Sequence, residues 1–171
     1  VLFPDTKSFW APLHGAKPED VFVVAEDSSG VAAIRQPPGA AAEMFANGIT
    51  QGNVPFYAGH GLLGVVPVIV HPNPERILLI GIGSAGTPYA AGSNPATKQI
   101  VAVEIVGAEL DMLRMFAVED GGQPIQKFLA DPRYQIVVGD GRRELALTDE
   151  KFDIIQADAI RPWTSHSGLL Y

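Results

Sequence analysis

Arg76-Ile77-Leu78-Leu79-Ile80-Gly81-Ile82-Gly83-Ser84-Ala85-Gly86 begins as an unbroken apolar run and ends as a glycine loop. A strand that is apolar without alternation is one covered on both faces, as in a parallel sheet. The loop behind it fits G-x-G-x-x-G, whose glycines let the backbone turn sharply and let a ligand approach without a Cβ in the way. Thr87 and Pro88 read as the cap and first residue of a following helix. A plain glycine-rich turn is the competing reading. The position of the loop between a strand and a helix favours a nucleotide or nucleoside site.

Downstream, the same grammar repeats. Ile100-Val101-Ala102-Val103-Glu104, Tyr134-Gln135-Ile136-Val137-Val138 and Phe152-Asp153-Ile154-Ile155-Gln156-Ala157 read as three further strands. Between the first two of these, Val106, Leu110, Leu113 and Phe116 recur near helical spacing over residues 106–118. Strands separated by helical segments imply a parallel sheet with right-handed crossovers. In such sheets ligands sit beyond the carboxyl ends of the strands. Gly81 and Gly83, Glu104, Asp140-Gly141 and Asp158 all fall at such ends. Glu104 at the tip of its strand is placed to accept from both ribose hydroxyls, and Asp140 to accept from an adenine amine. A solvated strand-end acid and an ordinary Asp-Gly turn are the alternatives for these two.

Upstream, Val21–Ala25, the turn cluster Glu26–Gly30 and Val31–Ile34 form a β-hairpin signal. Asn47-Gly48 marks another tight turn. Residues 1–20 read as irregular, because Pro4, Pro12 and Pro18 interrupt any helix. Tyr57 to Val70 reads as a buried helix that stops at His71-Pro72-Asn73-Pro74. The expected organisation is an N-terminal β-hairpin segment, residues 1–56, and a Rossmann-like domain, residues 57–171. With four core strands, that domain reads as incomplete at its C-terminal end. The first residues, Val1-Leu2-Phe3-Pro4, and the end at Tyr171 read as a piece of a longer protein.

The bulk composition sets limits. Of 171 residues, 47% are hydrophobic and 18% charged, which describes a folded domain and excludes disorder. With no cysteine, disulfides and thiolate metal sites are excluded, and a reducing, cytoplasmic setting is expected. Twelve Lys+Arg against 19 Asp+Glu argue against a nucleic-acid partner. His14, His60, His71 and His166 lack metal-ligand spacing, so no metal is expected. Ser165-His166-Ser167 reads as a polar loop, since adjacent residues without a third partner do not make a triad.

Three stretches carry a family resemblance: Asn47-Gly48-Ile49-Thr50-Gln51; His71-Pro72-Asn73-Pro74-Glu75-Arg76 through Gly86-Thr87 with Glu104; and Asp131-Pro132-Arg133 through Gly139-Asp140-Gly141-Arg142 with Phe152-Asp153-Ile154-Ile155 and Asp158. They resemble the spermidine synthase family of aminopropyltransferases, built on the class I methyltransferase fold. The resemblance implies decarboxylated S-adenosylmethionine as substrate, methylthioadenosine as product and a small-molecule amine as acceptor. It places Glu104 on the ribose, Asp140 on the adenine amine, and Gln51 and His60 near the sulfonium. Gly81, Gly83, Ser84, Ile105, Gly141 and Ala159 complete the binding set, and Asp158 orients and deprotonates the attacking amine. The complete family fold has more strands, so the last strand here is expected to have a bare edge, covered either by a continuation of the chain or by a partner in a homodimer. The Trp10–Gly15 stretch is similar to longer bacterial proteins in which the domain follows membrane helices.

Two positions depart from the family pattern. Ser84 stands where the glycine loop carries Asp, and Arg161 where "DxxD" carries its second Asp. An arginine repels a diamine and pairs a carboxylate. That leaves open a methyltransferase using intact S-adenosylmethionine. A non-catalytic ligand-binding domain is the remaining alternative in this fold, and an NAD-dependent oxidoreductase the alternative outside it.

Overall fold

The computed structural model describes residues 3–56 and 58–157. The chain opens with helix α1 (Thr6–Leu13), where an irregular segment was expected. Asp5 is the reason: its carboxylate accepts from the Ser8 N–H at 3.0 Å and caps the helix. Pro12 lies in the last turn and leaves the carbonyl of exposed Ser8 without its intrahelical donor.

The expected hairpin is part of a larger unit. Strands β1 (Val21–Asp27), β2 (Gly30–Gln36), β3 (Ala42–Ala46) and β4 (Ile49–Val54) form one antiparallel sheet in sequential order. Asp27 closes the first turn by accepting from Ser29 and Gly30 N–H groups. Asn47 and Gly48 close the third, with φ of 49° and 78°, the paired left-handed conformation that a two-residue hairpin needs. The Pro37-Pro38-Gly39 interruption ends β2 without ending the sheet.

Helix α2 (Ala58–Val70) follows, but it is not the buried helix the apolar density predicts. Only Gly64 and Val68 are buried, while Ile69 and Val70 are 71% and 76% exposed. One face alone packs, against the next helix. Pro67 has no N–H to give the carbonyl of Leu63, four residues earlier. The Gln156 side-chain amide donates to that carbonyl at 2.7 Å instead.

The remaining elements are β5 (Arg76–Ile80), α3 (Gly86–Ala91), β6 (Gln99–Glu104), α4 (Gly107–Phe116), α5 (Gln123–Ala130), β7 (Tyr134–Val138), α6 (Gly141–Leu147) and β8 (Ile154–Ala157). The four strands make a parallel sheet in the order β7-β6-β5-β8. Their residues alternate between two apolar layers. Ile77, Leu79, Ile100 and Ala102 face one way, and Leu78, Val101 and Val103 the other. This is the double coverage that continuous apolar strands require.

Helix α4 explains how the two sheets join. Seven of its ten residues are buried, including Ala108, Leu110, Met112, Leu113 and Phe116. It packs on β1 and β2, and its side chains share one apolar cluster with Ile34, Met44, Ile77 and Ile100. A helix that is apolar nearly all round is one enclosed on both sides. Helix α5 has no counterpart in the sequence reading, although Gly121-Gly122 followed by Pro124 is a helix-start signature. No helix among the described residues is long and apolar enough to cross a membrane.

Candidate functional site

The register of the parallel sheet aligns its carboxyl ends. Ile80 pairs with Val103 and with Ala157, and Glu104 with Val138. Gly81, Glu104 and Gly139-Asp140 therefore emerge along one edge. Two hydrogen bonds extend the ladder past the strands, from Gly81 N–H to Val103 O at 2.8 Å and from Gly139 N–H to Glu104 O at 2.9 Å.

The glycine loop turns on Gly81 (φ 96°) and Gly83 (φ 51°), both in the left-handed region. No atom lies within 4 Å of where a Cβ on Gly83 would sit, so the loop face is open at that residue. Ala85 also has a positive φ, 65°, and serves as N-cap of α3 without a side-chain bond. The expected cap, Thr87, is instead inside the helix. Its hydroxyl donates to His60 O at 3.2 Å and ties α3 to the start of α2. The close approach of these helices depends on Gly64, whose Cβ would run into Thr87 O.

Glu104 is 5% exposed and holds the loop from below. Its Oε2 accepts the Ile82 N–H at 2.8 Å and its Oε1 the Val106 N–H at 2.9 Å. Asp140 caps α6, accepting from the N–H groups of Arg142 at 2.8 Å and Arg143 at 3.3 Å. Gly141 lets this cap seat on β5, because a Cβ there would meet the Ile80 side chain. Ser84 is fully buried, and its hydroxyl lies 3.4 Å from His60 Nδ1, a long contact. Ile105, next to Glu104, is 42% exposed. The structure thus brings together Gly81, Gly83, Ser84, His60, Glu104, Ile105, Asp140 and Gly141. Gln51 stays on β4, where its amide donates to Ile49 O at 3.3 Å. Asp158, Ala159 and Arg161 lie outside the described residues.

Two groups at this edge escaped the sequence reading. The first is Glu109, 4% exposed on α4, with its carboxyl against the Glu104 carboxylate and the Gly83 amide. Burial, and then the charge of Glu104, push its pKa well above the usual carboxylate range. The signal was available: Glu109 stands three residues after Val106 and four before Leu113, inside the apolar stripe. The second is Ser29, whose Oγ accepts the Gly107 N–H at 2.8 Å and so caps α4 from the turn between β1 and β2. A bond spanning 78 residues leaves no local signal.

The DPR stretch has a structural explanation. Asp131 and Arg133 pair through Nη2 at 2.7 Å, and Arg133 Nη1 donates to the carbonyls of Gly92 and Thr97. This clamp borders a cavity of about 260 Å³ between Tyr89, Lys127 and Tyr134. A second cavity, about 90 Å³, lies between α6 and the sheet, lined by Leu78, Val101 and Phe152. Neither lining includes the glycine loop, Glu104 or Asp140. Among the described residues no group of three or more His, Asp or Glu side chains converges to hold a metal ion.

Comparison with known proteins identifies the family. The polyamine aminopropyltransferase 1 of Pseudomonas aeruginosa is 34% identical over 103 residues, covering 60% of this chain and 35% of that protein. The polyamine aminopropyltransferase of Bacillus subtilis is 30% identical over 103 residues, covering 60% of this chain and 36% of its own. The chain thus spans about a third of the length of these curated relatives. A spermidine synthase in complex with the transition-state analogue AdoDATO superposes with a TM-score of 0.72 at 24% identity, over 85% of this chain and 48% of that one. Spermidine synthase from Thermotoga maritima gives 0.70 at 24% identity, over 82% and 47%. At that identity the likeness is one of fold. The family model of the spermine/spermidine synthase domain matches residues 57–171, and the chain belongs to that family.

Proposed function

We propose that this chain is the nucleoside-binding part of an aminopropyltransferase of polyamine biosynthesis, acting on decarboxylated S-adenosylmethionine. The observation that carries the reading is the convergence at one sheet edge of an open glycine loop, the buried Glu104 that braces it, and Asp140. The relatives' names agree with it.

In this reading Glu104 receives a ribose hydroxyl while keeping its bonds to Ile82 and Val106. A carboxylate has about four acceptor sites, so two backbone donors leave two for other donors, the ribose among them. Asp140 accepts from the adenine amine, and Ile105 offers apolar contact beside the base. The sulfonium is an activated leaving group. The acceptor nitrogen attacks the aminopropyl carbon, the carbon–sulfur bond breaks, and the electron pair goes to sulfur, leaving neutral methylthioadenosine. The new ammonium then loses one proton, the role given to Asp158. Catalysis is then mainly alignment and one proton transfer.

Methyl transfer from intact S-adenosylmethionine is favoured by one observation. Ser84 and His60 meet where the family pattern supplies an acid, so an attacking diamine finds less negative charge at that point. Calorimetric titration with methylthioadenosine, decarboxylated S-adenosylmethionine, S-adenosylmethionine and NAD separates these readings. The proposal expects the decarboxylated compound and methylthioadenosine to bind, with the aminopropyl group transferred to an amine. Preference for the intact compound supports methyl transfer, and binding of NAD alone overturns both.

A further inference from the structure

Glu109 is the one acid among the seven buried residues of α4. It lies where a helix enclosed by two sheets presents a side chain to the tip of β6. Its carboxyl faces Glu104 and the Gly83 amide, and its Oε2 is buried without a partner among the described residues. Two carboxyls in contact in a dry site do not both ionise, because like charges at that separation repel strongly. One proton held between them converts the repulsion into a hydrogen bond, with the protonated acid as donor.

We propose that Glu109 is a positioning residue: its protonated carboxyl donates to Glu104 and holds that carboxylate in the orientation that grips both the Ile82 amide and the nucleoside. The inference rests on the nucleoside reading for its ligand, but the carboxyl pair exists without ligand. Its consequence is a nucleoside grip that weakens when the proton leaves. Glu104 is the charged group that acts on Glu109. The others on neighbouring elements are committed elsewhere. Glu26 of β1 accepts from Trp10 and Asp27 from Ser29, Arg35 of β2 pairs Glu43, Lys127 of α5 is exposed, and Asp111 and Arg114 pair on the outer face of α4.

The direction in pH follows from the raised pKa. The folded protein holds a proton that the unfolded chain releases at the ordinary carboxylate value, so stability is full below that value and declines as pH rises toward the folded one. Glu109→Gln keeps a donor and cannot ionise. Glu109→Ala removes the donor.

The experiment titrates wild type and both variants with methylthioadenosine from about pH 4, near the ordinary carboxylate value, up to the alkaline limit of the folded protein, and records ligand-free melting over the same range. Wild-type affinity is expected to fall on the alkaline side, Glu109→Gln to bind without that fall, and Glu109→Ala to bind about tenfold more weakly throughout. In the ligand-free arm the wild-type midpoint declines with pH relative to Glu109→Gln. Should Glu109→Ala not fold, the wild type against Glu109→Gln comparison decides alone. Parallel pH profiles for those two proteins, in binding and in melting, overturn the inference. If methylthioadenosine binds nowhere but the melting curves diverge as described, the nucleoside reading fails and the carboxyl pair stands.

Discussion

The Glu104 carboxylate receives the Ile82 N–H at 2.8 Å, so the acid at the tip of β6 carries the glycine loop that follows β5. The loop and the acid are therefore one device. The side chain proposed to hold a ribose also sets the backbone of the glycine loop. Damage to either is felt by both.

Glu104→Gln tests that coupling. The amide presents one acceptor where the carboxylate presents two, so either Ile82 or Val106 loses its partner. A hydrogen bond to a charged acceptor is worth about 1.5–3 kcal/mol, so methylthioadenosine binding is expected to weaken about 10- to 100-fold. Denaturant unfolding of the ligand-free protein should show a loss of about 1–2 kcal/mol. Unchanged affinity removes Glu104 from the ribose.

Ser29→Ala removes the acceptor for the first N–H of α4, a helix whose own N-cap, Val106, has no polar side chain. The expected loss is about 1 kcal/mol, the usual value of a capping hydroxyl. Hydrogen exchange at Gly107 should quicken. Because the cap comes from the N-terminal sheet, a second effect is expected in nucleoside affinity.

Ala85→Gly should leave stability within about 1 kcal/mol of wild type, because relief of backbone strain is offset by loss of a buried methyl. Ala85 sits at φ 65°, where a Cβ crowds the carbonyl that follows. Glycine relieves about 1–2 kcal/mol of that strain but loses about 0.8 kcal/mol with the fully buried methyl and about 0.4–1 kcal/mol as unfolded-chain entropy, so the terms nearly cancel. Thermal or denaturant unfolding reads the difference directly.

Asp131→Asn probes the clamp on the opposite side of the sheet. Hydrogen bonds from Arg133 hold the Asp131 carboxyl below the usual carboxylate range. Its stabilisation is therefore present above the unfolded-chain value and is lost as pH falls through the folded one. The variant should be about 1–2 kcal/mol less stable near neutrality. It should converge on wild type in acid, measured by urea unfolding at a series of pH values.

What could be read along the chain was whatever is encoded within a few residues. Continuous apolar runs marked the four parallel strands, because coverage on both faces removes alternation. Glycines after Ile80 marked the loop, because only they take those φ values without strain. Glu104 and Asp140 stood out as candidates because one ends a strand and the other follows one. What the tertiary structure decided is where distant segments meet. The apolar density of 57–70 does not say that only one face of α2 packs, since that depends on Gly64 meeting α3. The acid at 109 is an ordinary helical residue until two sheets close around α4 and bring Glu104 against it. Ser29 caps a helix 78 residues away. Burial and long-range hydrogen bonds depend on the packed arrangement of separate elements, and no local pattern encodes that arrangement.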